Sequence, residues 1–201
     1  MAERRALTHT TIYDDDWTDH HAVGLEHSGV AFVDVDMCEA TNERSVFTEC
    51  TFTNVRFNCS VQTDVAFLNC TFVGCNFFDA TFTRCKLVGS AFDRCTFELL
   101  KVEEGDWSFV ALPAAKLSSA EFTGVRMREA DLTAARCEGA TFRDVDLSGA
   151  ALQKADLTRC DLRGSDLSGL DPLTTELRNA IITTDQAAMI AVALGLDVRP
   201  A

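Results

Sequence analysis

The chain has 201 residues and a mass of 22.0 kDa, room for one domain with a small appendage. Its 31 Asp and Glu against 18 Lys and Arg give a net charge of −13, which argues against direct binding to nucleic acid or an anionic membrane. With 47% apolar residues it is too hydrophobic for disorder, yet no stretch approaches the roughly 20 apolar residues that span a bilayer.

The opening residues, Met1 to Leu7, continue into polar sequence and lack the apolar core of a signal peptide. The nine Cys are therefore expected as thiols in a reducing, cytoplasmic setting. Residues 1–30 are expected to form an irregular N-terminal coil or cap. Within them Leu7, Ile12 and Trp17 keep the five-residue register of the central region, while Ala22 and His27 break it. Tyr13 and Trp17 are expected to cover the open end, beside the acidic turn Asp14-Asp15-Asp16.

Residues 31–182 carry a repeat of five. Counting every fifth position from Phe32 to Ile182 gives 31 positions that hold 12 of the 14 Phe. About two would fall there by chance. Two residues before each large apolar position sits a small one, as at Cys50, Val55, Ser60, Val65, Cys70, Cys75 and Ala80. Residues two apart in an extended segment point the same way, so each unit turns one large and one small side chain inward. Such units bury their inward residues only by stacking into a solenoid. The weak positions Ala22, Asn42, Gln62 and Val102 are spaced by 20 or its multiples, which implies four units per coil. About eight coils spaced by ~4.8 Å make a rod of roughly 38 Å.

The runs Ala130-Asp-Leu-Thr-Ala, Ala155-Asp-Leu-Thr-Arg and Ser165-Asp-Leu-Ser-Gly resemble the A(D/N)LXX signature of the pentapeptide repeat proteins. That resemblance implies a right-handed quadrilateral parallel β-helix. The unbroken register, the segment Glu43 to Cys50 and the run Asp185-Gln186-Ala187 leading to Gly195-Leu196 resemble the MfpA-type fluoroquinolone-resistance proteins more than the looped Qnr type. Those relatives bind DNA gyrase, and their acidic rods, about as wide as the duplex, are regarded as DNA mimics. The resemblance thus implies gyrase as partner, bound through its basic DNA-binding surface.

Residues 183–201 change pattern. Thr183 and Gln186 have capping-box spacing before the apolar run Ala187 to Leu194, and Gly195 can close a short α-helix. A helix without a polar face is expected to be covered on both sides: one plugs the last coil, the other meets a partner. A homodimer through this helix, the mode the family uses, makes Met189, Ile190, Val192 and Leu194 contacts. The other reading folds the helix wholly onto its own rod.

Signals for chemistry are sparse. His20-His21 has no CxxC partner, so no metal site is expected. Cys50 and Cys70, like Cys75 and Cys95, are 20 apart and are expected to stack, but as small core filler. Beyond residue 27 no His is available for a Ser-His-Asp set, and P-loop and dinucleotide motifs are missing. The expectation is a non-enzyme without cofactor.

The acidic surface remains. Acids are spread over both halves of the chain, 15 in residues 1–100 and 16 in 101–201. A 20-residue coil stacks Asp146 on Asp166 and Asp156 on Glu176, like charges suited to a basic partner. The densest cluster, Glu103, Glu104 and Asp106, falls where the small-residue rule weakens between Leu100 and Gly105. It reads either as a contact site or as a coil that bulges. The alternative to a topoisomerase ligand is a structural or scaffold repeat protein with an unrelated basic partner.

Overall fold

The computed structural model describes residues 8–199; the expectation for Leu7 lies outside them. The chain winds through four faces per 20 residues, and nearly every rung pairs in parallel with the residue 20 positions on. On the first face, strands Thr10–Tyr13, Val30–Val33, Thr51–Thr53, Thr71–Val73 and Ala91–Asp93 form a five-stranded sheet, extended by bridges through Ala111, Asp131 and Ala151. The second face is a ladder of single bridges, from Asp16 through Asp36, Arg56 and Asn76 to Thr96 and from Lys116 to Glu176. The third is a seven-stranded sheet running from His21–Val23 to Thr141–Arg143, with further rungs at Asp161 and Ile181. The fourth holds Glu26–Ser28, Val46–Thr48 and Ala66–Leu68, continued by bridges to Asp166. The expected weak positions Ala22, Asn42, Gln62 and Val102 do share one face, the third.

The corners explain why the period is five. Nearly every fifth residue, from Asp14 through Asp34, Asn54 and Asp64 to Asn179, sits in the left-handed region with φ of about +50° to +77°; Ser119, Gly169 and Thr174 are the exceptions. Asn, Asp and Gly tolerate that conformation best, and they hold many of these positions.

Phenylalanine rings form continuous stacks inside. Phe32, Phe52, Phe72 and Phe92 lie face to face with centroids 4.8, 4.8 and 4.7 Å apart, which is the strand spacing itself. Phe47 on Phe67 and Phe57 on Phe77 repeat this at 4.9 Å. His27 joins the second stack, parallel to Phe47 at 5.5 Å, and its burial holds the imidazole pKa below the ordinary value. From Leu112 onward Leu fills most of the large inward positions.

The small positions carry more than bulk. Cys70 Sγ donates to the Phe47 carbonyl at 3.3 Å, Cys75 to Phe52 at 3.3 Å and Cys85 to Gln62 at 3.3 Å, each 23 residues back. Ser90 and Ser165 use the same geometry on Phe67 and Phe142, at 2.9 and 2.8 Å. Cys and Ser therefore interchange here as small donors. All nine Cys are free, and burial pushes the Cys85 thiol up to about 11 and Cys160 to about 12.

Both ends depart from the rule. Trp17 packs edge-on to Phe32 at 5.9 Å and donates to Asp15 Oδ2 at 2.7 Å, but Tyr13 is two-thirds exposed on the outer face and covers nothing. Near the other end Pro172 breaks the repeat: Lys154 N donates to the Thr174 carbonyl, one residue beyond the regular partner. Leu173, at an outward position of the coil, is 79% exposed.

Helix Thr184–Ala193 closes the rod. Thr183 is its N-cap, with the reciprocal Thr183–Gln186 capping box present. Gln186 is the residue that plugs the coil: its Nε2 donates to the Leu162 and Ser165 carbonyls at 2.7 and 2.8 Å, satisfying ladder acceptors at the rod's end. Gln186→Ala leaves the Ser165 carbonyl without its donor, while the Leu162 carbonyl keeps Ser165 N at 3.1 Å, and is expected to cost about 1–3 kcal/mol, read as a lower chemical-denaturation midpoint. An unchanged midpoint would mean that the helix is not docked through this side chain.

Candidate partner-binding surface

Glu103 and Glu104 are exposed at the corner after strand Lys101–Glu103. Glu104 and Gly105 both have positive φ, +58° and +89°, and a Cβ on Gly105 would lie 2.2 Å from the Cys85 carbonyl oxygen. Only glycine fits this double left-handed step. The backbone irregularity is confined to the corner, because Asp106 N still donates to Cys85 O at 3.0 Å and Arg126 N to Gly105 O at 3.1 Å.

Asp106, Asp146 and Asp166 stand on the fourth face in the column Lys86, Asp106, Arg126, Asp146, Asp166. Sign alternates through most of it. Arg126 pairs with Asp106 at 2.9 Å and Arg128 with Asp146. Ser108 and Ser148 hydroxyls donate to the same two carboxylates at 2.6 Å each. Partial burial opposes ionisation of Asp106, but the hydrogen bonds from Ser108 and Arg126 outweigh it and hold the carboxyl below its ordinary value. Unfolding restores the higher value, so this carboxylate stabilises the fold at neutral pH and the contribution fades as pH falls through about 4. Asp106→Asn is thus expected to lower the melting temperature at pH 7, by an amount that shrinks as pH falls below about 4. A pH-independent difference would contradict the pairing.

Asp156 and Glu176 belong elsewhere. They continue the second-face column Lys116, Arg136, Asp156, Glu176, on the opposite side of the square from Asp146 and Asp166. The two like-charge columns expected from the sequence exist, but they are separate patches, each preceded by cations. Hydrogen bonds from Thr158 hold Asp156 below the usual carboxylate range.

Counting acids by halves of the chain hides a concentration at one end. Residues 8–43 hold nine acids, Asp14, Asp15, Asp16, Asp19, Glu26, Asp34, Asp36, Glu39 and Glu43, and no Lys or Arg. Residues 44–199 hold 21 acids and 16 bases. The coil stacks these N-terminal acids directly: Asp16 bridges to Asp36, and Tyr13 pairs with Val33 so that Asp14 follows above Asp34. Among the described residues, Arg56 on Asp36 and Arg44 on Glu43 at 3.6 Å are the ion pairs that reach this group. A running charge count over one 20-residue coil would have shown it.

The C-terminal helix presents an apolar surface of another kind. Met189, Val192, Leu194, Leu196 and Val198 are exposed, while Ile190 is half-buried against the rod. Ile190, Met189 and Ala193 line a small cleft with Leu167 and Leu170, and of these helix residues Ile190 packs against the core of the rod. Among the described residues, no three His, Cys, Asp or Glu side chains converge as a metal site, and no helix is long and apolar enough to cross a membrane.

This geometry agrees with what the chain resembles. A pentapeptide repeat region model matches residues 75–152, and a model of eight pentapeptide repeat copies matches residues 142–181. No curated protein sequence matches. Among solved structures, full-length QnrB1, a plasmid-mediated fluoroquinolone resistance protein, is similar at 16% identity and a TM-score of 0.53, over 93% of this chain and 98% of that one. A trypsin-treated QnrB1 variant gives 20% identity and 0.53, over 95% and 98%. HetL, a pentapeptide repeat protein involved in heterocyst differentiation regulation in the cyanobacterium Nostoc, gives 14% and 0.33, over 81% and 90%. At these identities the likeness concerns the fold. With the two family models spanning residues 75–181 and the rungs paired 20 residues on, this chain belongs to the pentapeptide repeat family.

Proposed function

We propose that this protein is a cytoplasmic non-enzyme that binds DNA gyrase as an acidic mimic of duplex DNA, inhibiting the enzyme and protecting it from fluoroquinolones or other gyrase poisons. It works as a homodimer joined through its C-terminal helices, which leaves the two acidic N-terminal ends at the outer tips. The observation that carries this reading is the block of nine acids without a base on the first two coils. Over roughly 9 Å of rod that is on the order of one charge per Å, denser than the one per ~1.7 Å of the duplex. Residues 44–199, with 21 acids and 16 bases, average only about one net charge per 7 Å. The similarity to QnrB1 adds the fluoroquinolone connection.

Mechanistically, the rod competes for basic residues that otherwise hold DNA, so its affinity and on-rate fall as salt rises. A supercoiling assay, titrated at two salt concentrations with and without a fluoroquinolone, tests the proposal. Salt-sensitive inhibition or rescue from the drug is the expected result. Neutralising Asp14, Asp16 and Asp19 to Asn should weaken it about tenfold or more, and Glu103→Gln with Glu104→Gln should weaken it less. No effect of the wild type on gyrase supports the scaffold reading instead, which the many Asp–Arg pairs along the mid-rod favour.

A further inference from the structure

The third face contains a break in the hydrophobic rule that neither the fold nor a partner surface accounts for. Its large inward column runs Ala22, Asn42, Gln62, Phe82, Val102, each paired in register with the next. Asn42 is 9% exposed and Gln62 2%. Asn42 Oδ1 and Gln62 Oε1 are buried and accept no hydrogen bond, although Gln62 Nε2 donates to Ser60 Oγ at 3.3 Å. Both residues line one small, partly open cavity of about 20 Å³ near the N-terminal end, together with Trp17, His20, Thr41 and Phe47.

We infer that this cavity is a built hydration site, in which one water molecule donates to both Asn42 Oδ1 and Gln62 Oε1. The chemistry of the orphans selects the occupant. Both are acceptors, so a single guest must donate twice. The volume is that of about one water sphere and excludes anything larger. An empty cavity is stable only when its walls are apolar, and two unpartnered amide oxygens remove that option. The spacing also suits it. The paired backbones lie about 4.8 Å apart, and at that separation of the two oxygens one water ~2.8 Å from each would subtend about 120°, close to its own donor geometry. The neighbouring rungs differ: where Phe82 and Val102 hold the column, no polar group is left to serve, and both are buried.

Two measurements on the full chain decide this. Water magnetic relaxation dispersion counts long-lived internal waters, and the double variant Asn42→Leu, Gln62→Leu is expected to lose one relative to wild type. Leu suits the variant because the same column accepts Phe82 and Val102. An unchanged dispersion amplitude in a folded variant overturns the assignment. If the variant does not fold, a high-resolution crystal structure of the wild type decides alone. A density peak about 2.7–3.2 Å from both oxygens is the expected result. An empty cavity, or the two amides bonded directly to each other, overturns it.

Discussion

Phe72→Ala is expected to be the most damaging single truncation in this protein, lowering stability by about 3–5 kcal/mol. Phe72 is sandwiched between Phe52 at 4.8 Å and Phe92 at 4.7 Å, and meets Phe67 and Phe77 edge-on at 5.6 Å each. Its removal opens a hole in the stack that rigid coils above and below cannot close, because each rung is fixed by hydrogen bonds to its neighbours. For a chain of this size the shift in melting temperature is on the order of 10 °C. A repeat rod couples mainly through nearest neighbours, so the transition should also broaden as the N-terminal coils loosen before the Leu-rich end. Phe72→Leu is the control. Leu occupies the equivalent position at Leu112, Leu132 and Leu152, and the loss is expected below about 1.5 kcal/mol. Equal effects of Ala and Leu would show that the stack does not carry the stability of this half.

The second large effect concerns assembly. Val192→Asp with Leu194→Asp is expected to convert the proposed dimer to a monomer, halving the mass seen by light scattering. Both side chains are exposed on the single chain, at 59% and 48%, so folding itself should hardly change. Ile190→Asp is the wrong probe, since Ile190 packs against its own rod and a charge there would undo the cap. In the proposed mode of action, separating the two acidic tips removes bivalent engagement, and gyrase inhibition should weaken about tenfold or more. A proven monomer that inhibits as well as wild type would refute the requirement for a double-length rod. A variant that remains dimeric would place the interface elsewhere.

Much was determined by the sequence alone, because the constraint is local and repeated. The corner residue, the inward pair and the ladder all recur every five residues, so an error at one unit is corrected by the next. Asn42 and Gln62 were placed on one face by spacing, the Thr183–Gln186 box marked where the helix starts, and the irregularity near Gly105 showed as a lapse in the small-residue pattern. Tertiary structure decided what depends on atoms 18 to 24 residues apart. It assigned Arg126 to Asp106, Arg128 to Asp146 and the Gln186 amide to Leu162 and Ser165. It set Asp156 and Glu176 on the far side from Asp146 and Asp166, and turned Ile190 inward but Val192 outward. An uninterrupted apolar helix has no polar face to orient it, so only docking could choose which residues remain free. Charge obeys the same division: residue counts give the total, whereas stacking of successive coils decides where unpaired carboxylates accumulate and where cations cancel them.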